Sequence, residues 1–219
     1  DEQTKNLILA NGLSFLVLLS WMFFFPPEPI PENFDSLATD TTQGSNNRNT
    51  KLTDKEIQKL GTLKTGIAHC PSSNMLLSSG VCRIPELEKS GVPVGIGVDG
   101  SASNDTSNIM QEVRQAFLLQ RLHHGSGVTH LTALRWATEG GANVLRRAEI
   151  GEIKSGMQSD LALFKLDELR FSGYGDPLAA LVICGADRAD RVMVAGKWLV
   201  KDGQIPGLNL HELKTQHHK

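Results

Sequence analysis

The sequence has 219 residues, of which 40% are hydrophobic and 21% charged, an ordinary composition for a globular protein of one domain with a small appendage. The net charge of −2 and the lack of a basic stripe interleaved with aromatic residues argue against nucleic-acid binding. Three cysteines, an odd number without CxxC spacing, favour reduced thiols in a cytoplasmic protein over a disulfide framework.

The first fifty residues form two segments of opposite character. Residues 7–25, LILANGLSFLVLLSWMFFF, contain no charge over 19 positions, which is long enough to span a bilayer as a helix. Two interpretations stay open for residues 1–25: an apolar leader that anchors the protein in a membrane, or a buried or foreign segment. Residues 26–50 carry four prolines and many Ser, Thr and Asn residues, which predicts a disordered linker.

From residue 51 to residue 158 the pattern alternates between helices and strands. Thr53 is a predicted N-cap with Glu56 three residues on, and Gly91 is a predicted helix end. The predicted elements are helix 52–66, strand 65–71, helix 84–91, strand 92–99, helix 108–122 and helix 129–145. This order indicates an α/β fold with a parallel sheet covered by helices.

Residues 159–219 are predicted to be richer in strands. Apolar runs at 159–168, 179–185 and 190–205 are separated by turn signals such as AGKW and KDGQ. We therefore expect a small sheet beside the main domain, followed by a polar tail.

Two predicted strands end in clusters of small polar residues. The first cluster is HCPSSN, from His69 to Asn74, and the second is DGSASND, from Asp99 to Asp105. A carboxylate at the end of a buried strand needs a partner, such as a metal ion, a cation or backbone N–H groups. Taken alone, Asp99 is better explained by an Asx-turn, and His69 by a core histidine.

The longer motifs AHCPSSNMLLSSG and GVPVGIGVDGSASNDTSNIMQEVRQAFLLQRL resemble the amidohydrolase superfamily, in the branch that contains 8-oxoguanine deaminase and the triazine aminohydrolases. The resemblance runs from about Leu52 to the C-terminus. It implies the last two βα units of a (β/α)₈ metal-dependent hydrolase barrel at 51–158, left incomplete, and part of a small β-sandwich at 159–219.

The same resemblance implies one divalent metal, Zn²⁺ or Fe²⁺, and a metal-activated water that attacks a purine-like or triazine-like ring. Asp99 matches the metal-binding aspartate that takes the proton from this water. His69 matches the preceding strand end at the pocket and joins Asp99 as a catalytic candidate. The implied substrate-binding residues are Asn74, Ser103 and Asn104.

The other metal ligands that the resemblance implies are missing from this sequence. No HxH pair occurs, and the seven histidines leave only Asp99 of the implied ligand set. We therefore expect a truncated amidohydrolase that hydrolyses carbon–nitrogen bonds by family but is inactive as an isolated chain. The alternative is an inactive fragment or interaction module, tethered to a membrane through 7–25 or completed by a homo-oligomer or partner chain that covers open sheet edges.

Overall fold

The computed structural model describes residues 52–217, so the predicted leader and linker at 1–50 lie outside the described residues. The helices are α1 (Asp54–Leu63), α2 (Pro71–Leu76), α3 (Ile84–Lys89), α4 (Ile109–His124), α5 (His130–Arg135), α6 (Gly141–Val144), α7 (Pro177–Ile183) and α8 (Leu210–His217). The strands are β1 (Ile67–His69), β2 (Val94–Ile96), β3 (Leu161–Leu163), β4 (Arg191–Val194) and β5 (Lys197–Val200). Between residues 52 and 217, no helix combines the length and the apolar character needed to cross a membrane.

Strands β1 and β2 pair in parallel, with Ile67 beside Val94 and His69 beside Ile96. A parallel pair needs a crossover connection, which α2 and α3 provide here. The predicted alternation of helices and strands is therefore confirmed as a mixed α/β unit. The structure describes two parallel strands, and the complete barrel stays a prediction.

Helix α1 begins at the capping box that the sequence predicts. The Thr53 side chain accepts a hydrogen bond from the Glu56 N–H, and the Glu56 carboxylate accepts one from the Thr53 N–H at 2.6 Å. These reciprocal bonds satisfy two backbone donors that a helix start otherwise leaves unpaired. Gly91 follows α3 with a φ of +78°, the left-handed conformation that ends a helix at little cost.

One hydrophobic core lies between the parallel strands and the surrounding helices. Helices α1, α3 and α4 each bury an apolar face in it, and Trp136 fills the space after α5. The Trp136 indole N–H donates to Glu88 at 3.0 Å, so its polar atom is satisfied despite burial. Apolar residues that are almost completely buried in this core are Ile57, Ile84, Leu87, Val113, Ala116, Ala133 and Trp136.

The predicted helix at 129–145 is continuous but changes its winding in the middle. It begins at α5, widens to a π-helical segment at Trp136–Gly140 and ends with α6. A Cβ atom at Gly140 would lie 2.2 Å from the Val94 carbonyl oxygen, so only glycine lets this helix approach β2 so closely.

The C-terminal part holds an antiparallel sheet in the order β3-β4-β5. Strands β4 and β5 form a hairpin through Ala195 and Gly196, which both have a positive φ, as a tight two-residue turn requires. The predicted strands in 159–168 and 190–205 are thus confirmed. The division into a partial barrel and a β-sandwich stays a prediction.

The predicted strand at 179–185 is wrong, because this segment forms helix α7. Asp176 caps the helix by accepting hydrogen bonds from the Leu178 and Ala179 N–H groups. Pro177 occupies the first turn, where its missing N–H is no loss. A run of six apolar residues is as compatible with a buried helix as with a strand, and the cap upstream decides the outcome.

Candidate active site

The parallel pairing of β1 and β2 brings the two polar clusters together at one edge of the sheet. The Ser73 hydroxyl, which follows β1, donates to the Asp99 carboxylate beyond β2 at 2.6 Å. The Ser103 hydroxyl lies 2.9 Å from the Ser73 oxygen and 3.2 Å from the same carboxylate oxygen of Asp99. The two strand ends therefore meet at this edge, and their role as one site stays a prediction.

Asp99 is exposed, and its carboxylate is held by three hydrogen bonds. One oxygen accepts from Ser73 and Ser103, and the other accepts from the Gly100 N–H at 2.8 Å. The Ser73 hydroxyl, and after it the Gly100 N–H and the Ser103 hydroxyl, hold the pKa of Asp99 below the usual value for aspartate. The carboxylate is therefore ionised at neutral pH.

The backbone of Asp99 is left-handed, with a φ of +64°. Asp and Asn are the non-glycine residues that adopt this conformation most readily, because their short polar side chains bond to nearby backbone. The Gly100 N–H contact is such a local bond. The Asx-turn interpretation and the active-site interpretation of Asp99 are therefore compatible.

Ser73, which sequence reasoning did not single out, is the residue that connects the two clusters. Its side chain is buried, at 1% exposure, and its hydroxyl contacts both Asp99 and Ser103. One sequence feature could have identified Ser73 as a site residue. It lies in the first turn of a helix that directly follows a strand, where a small side chain faces the strand ends.

Asn104, a predicted substrate-binding residue, is buried and engaged within the chain. Its side-chain amide donates to the Val98 carbonyl and to Glu112, both at 2.8 Å, and its oxygen accepts from the Thr106 hydroxyl at 2.9 Å. Both N–H donors of the side chain are therefore used within the chain. In the structure, Asn104 braces the loop that carries Asp99.

Glu112 is a fully buried carboxylate on α4 that joins the two strand-end loops. One oxygen accepts from Asn104, and the other accepts from the Ser72 N–H at 2.9 Å. Sequence reasoning missed this residue, although Glu112 lies beside Val113 on the face of α4 that also carries Phe117. Two other apolar side chains of α4, Ile109 and Leu118, are more than 40% exposed.

The other two predicted substrate contacts are at the surface of the site. Ser103 is half-buried beside Asp99. Asn74 is half-buried in α2, where its N–H donates to the Cys70 carbonyl and its carbonyl accepts from the Ser79 N–H. Their roles toward a substrate stay predictions.

His69, the second catalytic candidate, lies on the side of β1 that faces the helices. It is 2% exposed and shares a strand face with Ile67, which packs against the hydrophobic core. Neither ring nitrogen has a hydrogen-bond partner among residues 52–217. Burial lowers the pKa of His69 to about 4, so the imidazole is neutral at pH 7.

We expect the free energy of unfolding to fall on mild acidification because of His69. The unfolded chain takes up a proton near pH 6.5, whereas the folded chain resists protonation down to about pH 4. Stability from this group is thus present above pH 6.5 and lost as the pH falls, by about 2 kcal/mol between pH 7 and pH 5. Urea unfolding at several pH values measures the slope.

The control is His69→Phe, which keeps a buried ring without a titratable nitrogen. This variant should unfold with equal or higher free energy at pH 7 and show a much weaker dependence between pH 5 and 7. Equal slopes for the two proteins would contradict the buried, neutral histidine.

The Cys70 thiol beside this site is not activated as a nucleophile. Partial burial raises its pKa, and the charges of Asp99 and Glu112 raise it further. Its sulfur lies close to Gly97, at which a Cβ atom would be 3.1 Å away. Cys70 is therefore a packing residue in this structure.

A cleft lies at the other end of β2. It has a volume of about 880 Å³ and is lined by Pro93, Val94, Trp136 and residues near them. Asp99 does not line it. Size alone therefore does not locate the candidate site, which rests on the side chains around Asp99.

The described residues do not by themselves form a metal centre. Between residues 52 and 217, no group of three His, Cys, Asp or Glu side chains is placed to hold a metal ion. Asp99, the predicted ligand, offers a carboxylate with free lone pairs at the strand ends. Catalytic zinc takes three protein ligands, so this donor set does not fit a complete site.

Comparisons with a family profile and with known proteins point to the same family. The amidohydrolase family profile matches residues 30–199. The 8-oxoguanine deaminase of Pseudomonas aeruginosa is 60% identical over 164 residues, which cover 74% of this chain and 36% of that protein. The hydroxydechloroatrazine ethylaminohydrolase of a Pseudomonas species is 36% identical over 169 residues, covering 74% of this chain and 35% of that protein.

A solved structure agrees with these sequence matches. The zinc-bound adenosine deaminase of Xanthomonas campestris superposes with a TM-score of 0.72 at 31% identity, covering 77% of this chain and 39% of that one. The chain thus spans little more than a third of the length of the relatives it matches. Its predicted resemblance is confirmed, and it belongs to the amidohydrolase family.

Proposed function

We propose that this chain supplies the aspartate-bearing part of an aminohydrolase site that deaminates a purine-like heterocycle. The observation that carries the proposal is Asp99, an ionised carboxylate fixed at the sheet edge by Ser73, Ser103 and Gly100. The similarity to an 8-oxoguanine deaminase favours an oxidised purine over a triazine as the substrate class.

In this reaction a water molecule adds to the ring carbon that carries the amino group. The water oxygen forms a bond to this carbon as the double bond between the carbon and the adjacent ring nitrogen opens. Asp99 accepts one proton from the water and returns it to the amino group, whose bond to the carbon breaks to release ammonia. The second proton of the water passes to the ring nitrogen, which leaves a ring carbonyl. Its three hydrogen bonds orient the carboxylate for both transfers.

A divalent metal is supported by the zinc in the structural neighbours. Since residues 52–217 offer one candidate ligand, Asp99, any further ligands have to come from outside these residues.

We expect the isolated chain to bind zinc with a dissociation constant no tighter than about 1 µM, because a single carboxylate holds the ion poorly. Isothermal titration calorimetry measures the affinity, with Asp99→Ala as the test and Asp105→Ala as the control in the same loop. Stoichiometric zinc after purification that is lost only in Asp99→Ala would contradict this expectation.

A chimera tests the proposed function. The segment of the Pseudomonas aeruginosa 8-oxoguanine deaminase that matches this chain is replaced by residues 52–217, and ammonia release from 8-oxoguanine is measured. We expect turnover within about tenfold of the parent enzyme, because 60% identity preserves most packing contacts. A chimera that folds but releases no ammonia from 8-oxoguanine or related purines would overturn the proposal.

A further inference from the structure

Glu112 is fully buried, and its carboxylate accepts hydrogen bonds from both loops of the candidate site. One oxygen accepts from the Ser72 N–H at 2.9 Å, and the other accepts from the Asn104 side-chain amide at 2.8 Å. Both donors are neutral groups. Burial of a carboxylate costs free energy that neutral donors offset only in part, so this side chain is more costly here than an apolar one. Such a buried group points to a role beyond packing.

The contacts around Glu112 fit a carboxylate better than an amide. Each oxygen faces an N–H donor, and a carboxylate offers an acceptor to both. A glutamine has the same shape but would turn its own NH₂ group toward one of these donors. Asn104 is not free to reverse its amide, because its oxygen accepts from the Thr106 hydroxyl and its NH₂ group also donates to the Val98 carbonyl. The network therefore selects glutamate at position 112.

The two donors to this buried carboxylate lie next in sequence to the hydroxyls that hold Asp99. Ser72 precedes Ser73, whose hydroxyl donates to the Asp99 carboxylate at 2.6 Å. Asn104 follows Ser103, whose hydroxyl lies 3.2 Å from the same carboxylate oxygen. The two serine oxygens are 2.9 Å apart, so a shift of either loop by about 1 Å would break at least one of these contacts.

We infer that Glu112 is a positioning residue of the proposed aminohydrolase site. Its carboxylate fixes the separation of the two loops and thereby keeps both serine hydroxyls on the Asp99 carboxylate. The inference rests on the proposed function and adds a residue that acts at one remove from Asp99. Displacement of a reacting group by about 1 Å lowers turnover by about a hundredfold, so the loss of this contact should affect the rate more than substrate binding.

The first test measures ammonia release by the chimera with the Pseudomonas aeruginosa 8-oxoguanine deaminase, with and without Glu112→Gln. We expect kcat to fall at least about tenfold while KM stays within about threefold, because the misplaced group is the acid–base carboxylate. The matched control is Leu87→Ala in the fully buried core of α3, which destabilises the fold and should leave kcat within about twofold. Thermal melts verify that both variants are folded at the assay temperature.

A second set of variants tests whether Glu112 acts through the two serines. In a chimera that already carries Ser73→Ala and Ser103→Ala, the added Glu112→Gln change should lower kcat by less than about threefold. The reason is that the contacts that Glu112 maintains are already absent from this background. Independent effects would instead multiply, and the added change would again cost at least about tenfold.

Amide hydrogen exchange in the full chain of 219 residues tests the contact without any turnover. The Ser72 N–H bonds to Glu112, and the Asn104 N–H bonds to the Gly100 carbonyl within the loop that carries Asp99. Both amides should exchange at least about tenfold faster in Glu112→Gln than in the wild type, relative to an amide of the α3 core. That reference is the Leu87 N–H, which donates to the Arg83 carbonyl and corrects for any change in global stability.

Three results would overturn the inference. They are a Glu112→Gln chimera with the kcat of Leu87→Ala, an undiminished effect of Glu112→Gln when both serines are replaced, or loop amides that change no more than the Leu87 amide. An inactive parent chimera would count against the proposed function alone, and the exchange of the Ser72 and Asn104 amides would then decide whether Glu112 positions the loops.

Discussion

Asp99→Asn in the chimera with 8-oxoguanine deaminase is expected to lower kcat by about a thousandfold, within the range that a positioned acid–base group contributes. Asparagine has nearly the same shape, tolerates the left-handed backbone at this position and still accepts the Gly100 N–H bond. It cannot take a proton from water, so the loss reports chemistry and not folding. Steady-state ammonia release and a thermal melt of the same preparation measure the two effects.

The matched control is Asp105→Asn, an exposed carboxylate in the same loop. It should leave kcat within about twofold of the chimera, because surface substitutions away from a site have small effects. If the two variants lost activity equally, the loop as a whole and not the Asp99 carboxylate would be responsible.

Glu112→Ala is expected to lower the free energy of unfolding by about 3 kcal/mol. The change leaves the Ser72 N–H and the Asn104 amide, both bonded to Glu112 at 2.8–2.9 Å, without an acceptor and opens a cavity under the strand ends. Urea unfolding followed by circular dichroism measures the difference, and an unchanged slope with denaturant would show that the folded state stays compact.

Two further variants distinguish the loss of the Glu112 hydrogen bonds from the effect of a substitution elsewhere in α4. Gln111→Ala replaces an exposed neighbour on α4 and should change the unfolding free energy by less than about 0.5 kcal/mol. Glu112→Gln keeps one acceptor oxygen and should lie between the wild type and Glu112→Ala. A Glu112→Ala variant as stable as Gln111→Ala would show that the buried carboxylate contributes nothing.

Local sequence rules predicted those elements whose signals lie within a few residues. The Thr53 capping box and the helix end at Gly91 depend on neighbours along the chain, and both are confirmed. The segment at 179–185 was missed because its apolar run fits two structures and the decisive cap, Asp176, lies just upstream.

The candidate site was predictable to the level of the two strand ends and no further. Ser73 and Asp99 are 26 residues apart along the chain, and their contact depends on the register of two strands, which no local pattern encodes. The sequence of a three-residue strand could not show on which face of the strand the His69 side chain lies, because so short a run has no readable alternation of apolar and polar positions. To identify Glu112 as part of the site, one would have to know which face of α4 contacts the strand-end loops.

The left-handed backbone at Asp99 restricts which acid can serve at this position. Glutamate would preserve the negative charge, yet its longer side chain gains no compensating bond to the adjacent amide and incurs a cost of about 1 kcal/mol for this backbone conformation. It would also carry the carboxyl group one methylene past the two serine hydroxyls. The local fold of the chain thus selects aspartate over glutamate before any substrate is bound.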